Sequence, residues 1–147
     1  MRIRGATAED LPDVAALSRR WAQEGITWGM VSTPASLLGE RLGPCFQVAE
    51  DGDGVVGYAF GRMLAAADLA VFPAGAAVFE LQEIYVTPDR RGGGIGGALL
   101  DAVLAGARAE GARHSLVYSA TRAIEPVMRF YAAHGFLPWS VQMFRSE

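Results

Sequence analysis

Glu83-Ile84-Tyr85-Val86-Thr87-Pro88-Asp89-Arg90-Arg91-Gly92-Gly93-Gly94-Ile95-Gly96-Gly97-Ala98-Leu99 is the stretch from which the rest of the chain can be read. An apolar strand runs into a proline and two arginines. Five of the next six residues are glycine, and an amphipathic helix follows. Glycines this dense leave a row of backbone N–H groups unshielded by side chains. At a helix N-terminus, where the first N–H groups lack partners and the dipole is positive, such a row is an anion cradle. The stretch is expected to hold a pyrophosphate.

Upstream of the loop, residues 76–86 read as one long strand. Strict alternation puts Phe79, Leu81, Glu83 and Tyr85 on one face, and Val78, Glu80, Gln82, Ile84 and Val86 on the other. Neither face is purely apolar, although the strand should be central. A bulge that re-aims part of it would reconcile the two, and bulges often lie beside active sites. Downstream, Ile95, Leu99, Ala102, Val103 and Gly106 form a helical face and Gly111 stops the helix. Residues 114–120 read as a strand. Pro126 opens a last helix that carries Val127, Phe130, Tyr131 and His134 on one face and stops at Gly135. Residues 136–144 read as one or two closing strands.

Nearer the N-terminus, residues 3–6 form a short strand. A helix follows with Leu11, Val14, Ala15, Ser18, Trp21 and Ala22 at helical spacing, and Asp10 is its expected cap, with Pro12 in the first turn. Residues 25–42 have turn character with a helical patch at 34–41. Residues 45–50 and 55–63 form a hairpin about Asp51-Gly52-Asp53-Gly54, an Asp-Gly signal between β-rich runs. Residues 64–74 are an irregular excursion. The element order, β-α-(α)-β-β-β-α-β-α-β, is a mixed α/β sheet with helices packed on it, and residues 1–147 form a single domain.

Composition narrows the function classes. The chain is 51% hydrophobic and 20% charged, with net charge −3 and a pI near 5.4. No basic face forms, which argues against nucleic acid as the main partner. Cys45 is the single cysteine, so no internal disulfide forms, and Cys45, His114 and His134 lack ligand spacing for a metal. The most apolar stretch, 64–79, is interrupted by Asp68 and Pro73 and does not read as a membrane span. A soluble cytoplasmic protein is expected.

The glycine run fits neither of two common phosphate loops. A P-loop needs Lys-Ser/Thr after its last glycine, where Gly97-Ala98 stands. A dinucleotide fold wants its glycines after the first strand, whereas this loop follows a meander. The run Val86-x-Pro88-x-x-Arg91-x-x-Gly94-x-Gly96, however, resembles the acetyl-CoA loop of the GCN5-related N-acetyltransferases. Phe130-Tyr131-x-x-His134-Gly135-Phe136 is similar to that family's closing Tyr-x-x-x-Gly-Phe segment, and element order agrees over nearly the whole chain.

The resemblance implies a mostly antiparallel central sheet whose fourth and fifth strands splay apart. Backbone N–H groups of Gly92, Gly93, Gly94, Ile95, Gly96 and Gly97 would hold the coenzyme pyrophosphate, with charge from Arg91 and Arg90. The pantetheine arm would pair with backbone at Ile84, Tyr85 and Val86. Glu83 is the first candidate for the base that takes the amine proton, and Glu80 the second. Tyr131 would face the thiolate as general acid. Trp28 and Met30 either cover the core or form one wall of an acceptor cleft. The family often has Asn at the position of Ile124, so nothing is carried over there, and it often has a polar residue where Gly93 stands, which makes this loop looser. A covalent route through Cys45 is disfavoured, because no histidine partner is evident.

The implied activity is transfer of an acetyl group from acetyl-CoA, without metal, to a primary amine of a small molecule or peptide, by direct attack in a ternary complex. The alternative is a non-catalytic acyl-CoA-binding module. The acceptor is not legible, and the closing strands offer an edge across which two copies could form a homodimer.

Overall fold

The computed structural model describes residues 1–147. Five strands, β1 (Arg2–Gly5), β2 (Phe46–Asp51), β3 (Gly54–Ala65), β4 (Ala77–Val86) and β5 (His114–Val117), form one sheet in sequence order. The helices are α1 (Leu11–Glu24), α2 (Ala35–Gly39), α3 (Ile95–Ala109) and α4 (Ile124–Ala133). Strands β1 to β4 pair antiparallel, and β5 joins β4 in parallel. A mixed α/β sheet with helices on it is therefore the architecture. No helix is long and apolar enough to cross a membrane.

Asp10 stands at the N-cap of α1 as expected, but its side chain makes no capping bond to that helix. A 3-10 turn, Ala8–Asp10, precedes it, and Pro12 lies in its first turn, where a missing N–H costs no bond. The buried Asp10 carboxylate accepts from the Thr7 backbone N–H at 2.8 Å and from both terminal nitrogens of Arg4 at 2.7 and 2.8 Å. Arg4 also donates to Glu50 at 2.8 Å, so one guanidinium ties β1, β2 and the α1 entry. Gly25, at φ +66°, ends the helix in the left-handed conformation that glycine adopts without strain.

Helices cover both faces of the sheet. On one, Leu99, Val103 and Ala107 of α3 pack with Ala59, Phe79, Leu81 and Val86. On the other, Val14 and Leu17 of α1 and Leu38 of α2 pack with Phe46, Tyr58 and Tyr85. Two corrections to the sequence reading follow. Phe79 and Tyr85 do not share a face, because β4 carries a bulge: Glu83 pairs with Phe60 but Leu81 with Gly61, leaving Gln82 as the extra residue. The phase flips there, so Phe79, Leu81, Ile84 and Val86 meet the α3 side, while Tyr85 joins the α1 side. Residues 136–144 form no strand. Leu137, Val141 and Met143 alternate as a strand would, but they are exposed, and Pro138 lacks an N–H for pairing.

At the bulge, β3 and β4 approach closely because position 61 has no side chain. A Cβ there would lie 2.2 Å from the Glu80 carbonyl oxygen and 2.5 Å from the Phe79 ring. Gly61→Ala is expected to cost about 1–3 kcal/mol, as overpacking against backbone does, read as a lowered midpoint in urea denaturation. The α1 entry predicts a pH signature. The hydrogen bonds from Arg4 hold the Asp10 carboxyl at about 2, below its ordinary 3.8. Its contribution is therefore present above the ordinary value and lost as pH falls through about 2. Wild type should melt above Asp10→Asn at neutral pH, with the gap closing across that acid window; a constant gap would contradict the ion-pair account.

Candidate active site

Parallel pairing of β4 with β5 stops at Leu81–Val117. Beyond it the chain after β5 leaves the sheet and bridges to the segment after α1, with Thr27 opposite Thr121. Trp28 N–H donates to the Ala120 carbonyl at 2.8 Å, and Arg122 N–H to that of Ile26 at 2.9 Å. Residues 83–86 of β4 thus keep their β3 partners, while their other edge, unpaired with β5, faces a gap. The bulge residue Gln82 stands where that gap begins.

Glu83 follows the bulge and points to the α1 side. Its two carboxylate oxygens are fixed separately: Thr33 Oγ1 donates to Oε1 at 2.6 Å and Tyr58 OH to Oε2 at 2.6 Å. Tyr58 lies diagonally across the β3–β4 ladder from Glu83 and is fully buried. Burial, reinforced by the adjacent carboxylate, pushes its phenol far above the ordinary range, so it stays a donor. Thr33 is held in turn, its N–H donating to the buried Ser18 Oγ at 2.8 Å. Each carboxylate oxygen accepts in more than one lone-pair direction, so Glu83 can still take a further donor. Glu83, Gln82, Thr33, Phe60, Leu37 and residues 40–41 line a depression of about 350 Å³. The Gln82 Oε1 is buried without a hydrogen-bond partner.

Glu80 sits below the bulge, held by Arg62 at 3.1 Å, and does not line this depression. Neither do Trp28 and Met30. Trp28 lies under the Arg122 guanidinium, 3.5 Å from its ring centre, and meets the Phe144 edge at 5.5 Å. Met30 is half-buried.

Past β4 the glycines divide their tasks. Gly92 (φ +81°) and Gly94 (φ +82°) take left-handed backbone that side chains resist. Gly97 makes room for the end of α4, since a Cβ there would stand 3.1 Å from the His134 ring, whereas one at Gly96 would meet the Phe130 ring at an ordinary 3.6 Å. The first intrahelical bond of α3 is from Ala98 N–H to the Gly94 carbonyl, so the N–H groups of Ile95, Gly96 and Gly97 are free for a ligand. These residues, with Val86, Phe130 and the two arginines, surround a second depression of about 260 Å³. Its shape and donors suit a phosphate anion.

The arginines are largely committed elsewhere. Arg90 holds Asp51 at 2.9 Å and Asp53 at 2.7 Å, bracing the β2–β3 hairpin. Arg91 donates to the Val86 carbonyl at 2.9 Å and pairs with Glu24 at 2.9 Å. Glu24 also accepts from Tyr85, whose ring stacks on Trp21 at 5.6 Å. The positive character of the cradle therefore comes mainly from backbone N–H groups. Ile84 and Tyr131 both pack against the α3-side core. The Tyr131 hydroxyl has no protein partner, and burial raises its phenol to about 12, which keeps it protonated at neutral pH. Cys45 is buried beside Glu110, and desolvation pushes its thiol up to about 11, as befits an inert core thiol.

Thr33, Tyr58, Gln82 and Arg41 were not singled out from sequence. The only signal for Tyr58 was a hydroxyl on an apolar strand, and nothing local linked it to a residue on the next strand.

No curated protein matches the chain in sequence. Among solved structures, a tetramutant of a Bacillus halodurans protein, BH1408, superposes with TM-score 0.77 at 20% identity, covering 100% of both chains. The aminoglycoside N-acetyltransferase AAC(6')-Iy, solved in complex with CoA, gives TM-score 0.75 at 17% identity over 99% of each. A ribosomal-protein-alanine N-acetyltransferase from Brucella melitensis biovar Abortus 2308 gives 0.68 at 21%, covering 99% of this chain and 100% of that one. At these identities the likenesses establish the fold. The sequence profile of the acetyltransferase (GNAT) domain matches residues 43–138, from β2 through α4. A gap between β4 and β5, a glycine cradle at the end of β4 and this match over most of the chain lead to one conclusion: the protein belongs to the GNAT family of acetyltransferases.

Proposed function

We propose that the protein transfers an acetyl group from acetyl-CoA to a primary amine of a small molecule or peptide, by direct attack in a ternary complex. One observation carries this reading: Glu83, set by the bulge and fixed by Thr33 and Tyr58, lines a depression on a strand that ends at the glycine cradle. Acetyl-CoA would supply a thioester carbonyl as electrophile and a thiol as leaving group. The free N–H groups of Ile95, Gly96 and Gly97 would bind its pyrophosphate, with Gly92, Gly93 and Gly94 letting the anion approach and Arg90 and Arg91 adding charge. The edge at Ile84, Tyr85 and Val86, which β5 does not cover and where Arg91 already holds the Val86 carbonyl, would accept the amide-bearing arm as a sheet edge accepts a strand.

An amine is mostly protonated at neutral pH, so the site must remove a proton before attack. Glu83 would do this directly or through a water. Glu80 ranks second because Arg62 already neutralises it. The Tyr131 hydroxyl, protonated and free of a protein partner, would donate to the departing sulfur. Trp28 and Met30 would stand on the outer wall of the acceptor side.

Glu83→Gln should lower kcat by about 10²–10⁴, the usual scale of general-base catalysis, with CoA affinity by calorimetry unchanged. Glu80→Gln should have a much smaller effect. Wild-type turnover retained in Glu83→Gln would remove Glu83 from the base role. CoA binding with no acetylated product from any of a broad panel of amines would favour the non-catalytic module. Tyr131→Phe should reduce kcat while leaving CoA affinity nearly intact; a large loss of affinity would assign Tyr131 to packing alone.

A further inference from the structure

The Glu83 depression contains a guanidinium that makes no ion pair or hydrogen bond within the protein. All thirteen cationic side chains of the protein are arginines. Nearly all are engaged: most in ion pairs, Arg113 on a backbone carbonyl and Arg122 on the Trp28 ring. Only Arg19, Arg41 and Arg108 lack any such partner. Arg19 and Arg108 are exposed, where water solvates the charge. Arg41 is half-buried and lines the depression with Glu83.

The adjacent Glu40 does not compensate. It also lines the depression, yet it makes no ion pair with Arg41, consistent with successive residues pointing apart at a helix end. The depression therefore presents carboxylates for an amine and a guanidinium for something else. Guanidinium is a planar fork of N–H donors matched to carboxylate and phosphate oxygens.

We infer that the acceptor is an amine that also carries an anionic group, a carboxylate or a phosphate, and that Arg41 binds that group. The inference rests on reading the Glu83 depression as the acceptor site. A zwitterion satisfies both charges: its amine faces Glu83, and its anion meets Arg41. A polycation would leave Arg41 unpaired and repelled. The volume, about 350 Å³, is at the small end for ligand pockets and suits an amino-acid-sized molecule.

The test uses matched pairs that differ in the anion: phenylalanine against phenethylamine, lysine against cadaverine, and phosphoethanolamine against ethanolamine. Turnover with acetyl-CoA is followed by free thiol. The same compounds are titrated by calorimetry into the CoA-saturated protein. In at least one pair the anionic member should be favoured about tenfold or more in kcat/KM, the scale of a charged hydrogen-bonded contact. Arg41→Gln should erase that preference by raising KM for the anionic member about tenfold more than for its anion-free partner, and Arg41→Lys should restore part of it. Preference confined to phosphoethanolamine would assign a phosphate; preference among the amino acids would assign a carboxylate.

Turnover of both members alike, or an equal loss for both in Arg41→Gln, would overturn the inference and leave the transferase reading standing. Calorimetric preference for the anionic member, lost in Arg41→Gln, with no turnover of any compound, would uphold the inference and count against the transferase reading. Binding of none of the anionic compounds would overturn the inference.

Discussion

Backbone N–H and C=O groups in a sheet must be accounted for on both sides of every strand, and β4 meets that demand unevenly. It has β3 on one side along its length, but β5 on the other only as far as Leu81. The bulge at Gln82 marks the change. It flips the side-chain phase, so that Ile84 and Val86 cover α3 while Glu83 and Tyr85 face α1. It also puts Gln82 and Glu83, successive residues, into the lining of one depression. Gly61 makes the dislocation possible by letting β3 and β4 come close. A regular β4 would have turned Glu83 toward the α3 core, where a carboxylate has no partner.

Charge is distributed by the same economy of partners. Arg4, Arg90 and Arg91 each join elements distant in sequence: the sheet edge with the α1 entry, the hairpin with the loop after β4, and the end of α1 with that loop. These are positioning contacts, and they leave the free N–H groups of Ile95, Gly96 and Gly97 as the main positive feature of the loop. A glycine run is the sequence form that keeps such groups open, since side chains would shield them.

Much of this was legible because it is local. The Asp-Gly hairpin, the glycine stops at 111 and 135 and the helical faces depend on neighbours a few residues away. Acidic residues on a central strand were enough to call for a bulge. They did not locate it, because register is shared with a partner strand, and so the faces of β4 came out wrong. The convergence of Thr33 and Tyr58 on Glu83 was invisible for the same reason, the partners being 50 and 25 residues away. The tail shows the converse. Residues 137–143 alternate as a strand should, yet alternation specifies only a face, and a strand exists only where an edge accepts it.

The short bridge between residues 26–28 and 120–122 gives the gap beside β4 a boundary at its wide end. Glu24, paired with Arg91 and Tyr85, connects the start of that bridge back to β4 itself. Contacts thus run continuously around the opening, from β4 to β5, across the bridge, down the end of α1 and back to β4. Spreading this ring of contacts would require at least two backbone hydrogen bonds to part, so the distance between the end of α1 and the chain after β5 is set by main chain and not by side-chain packing alone.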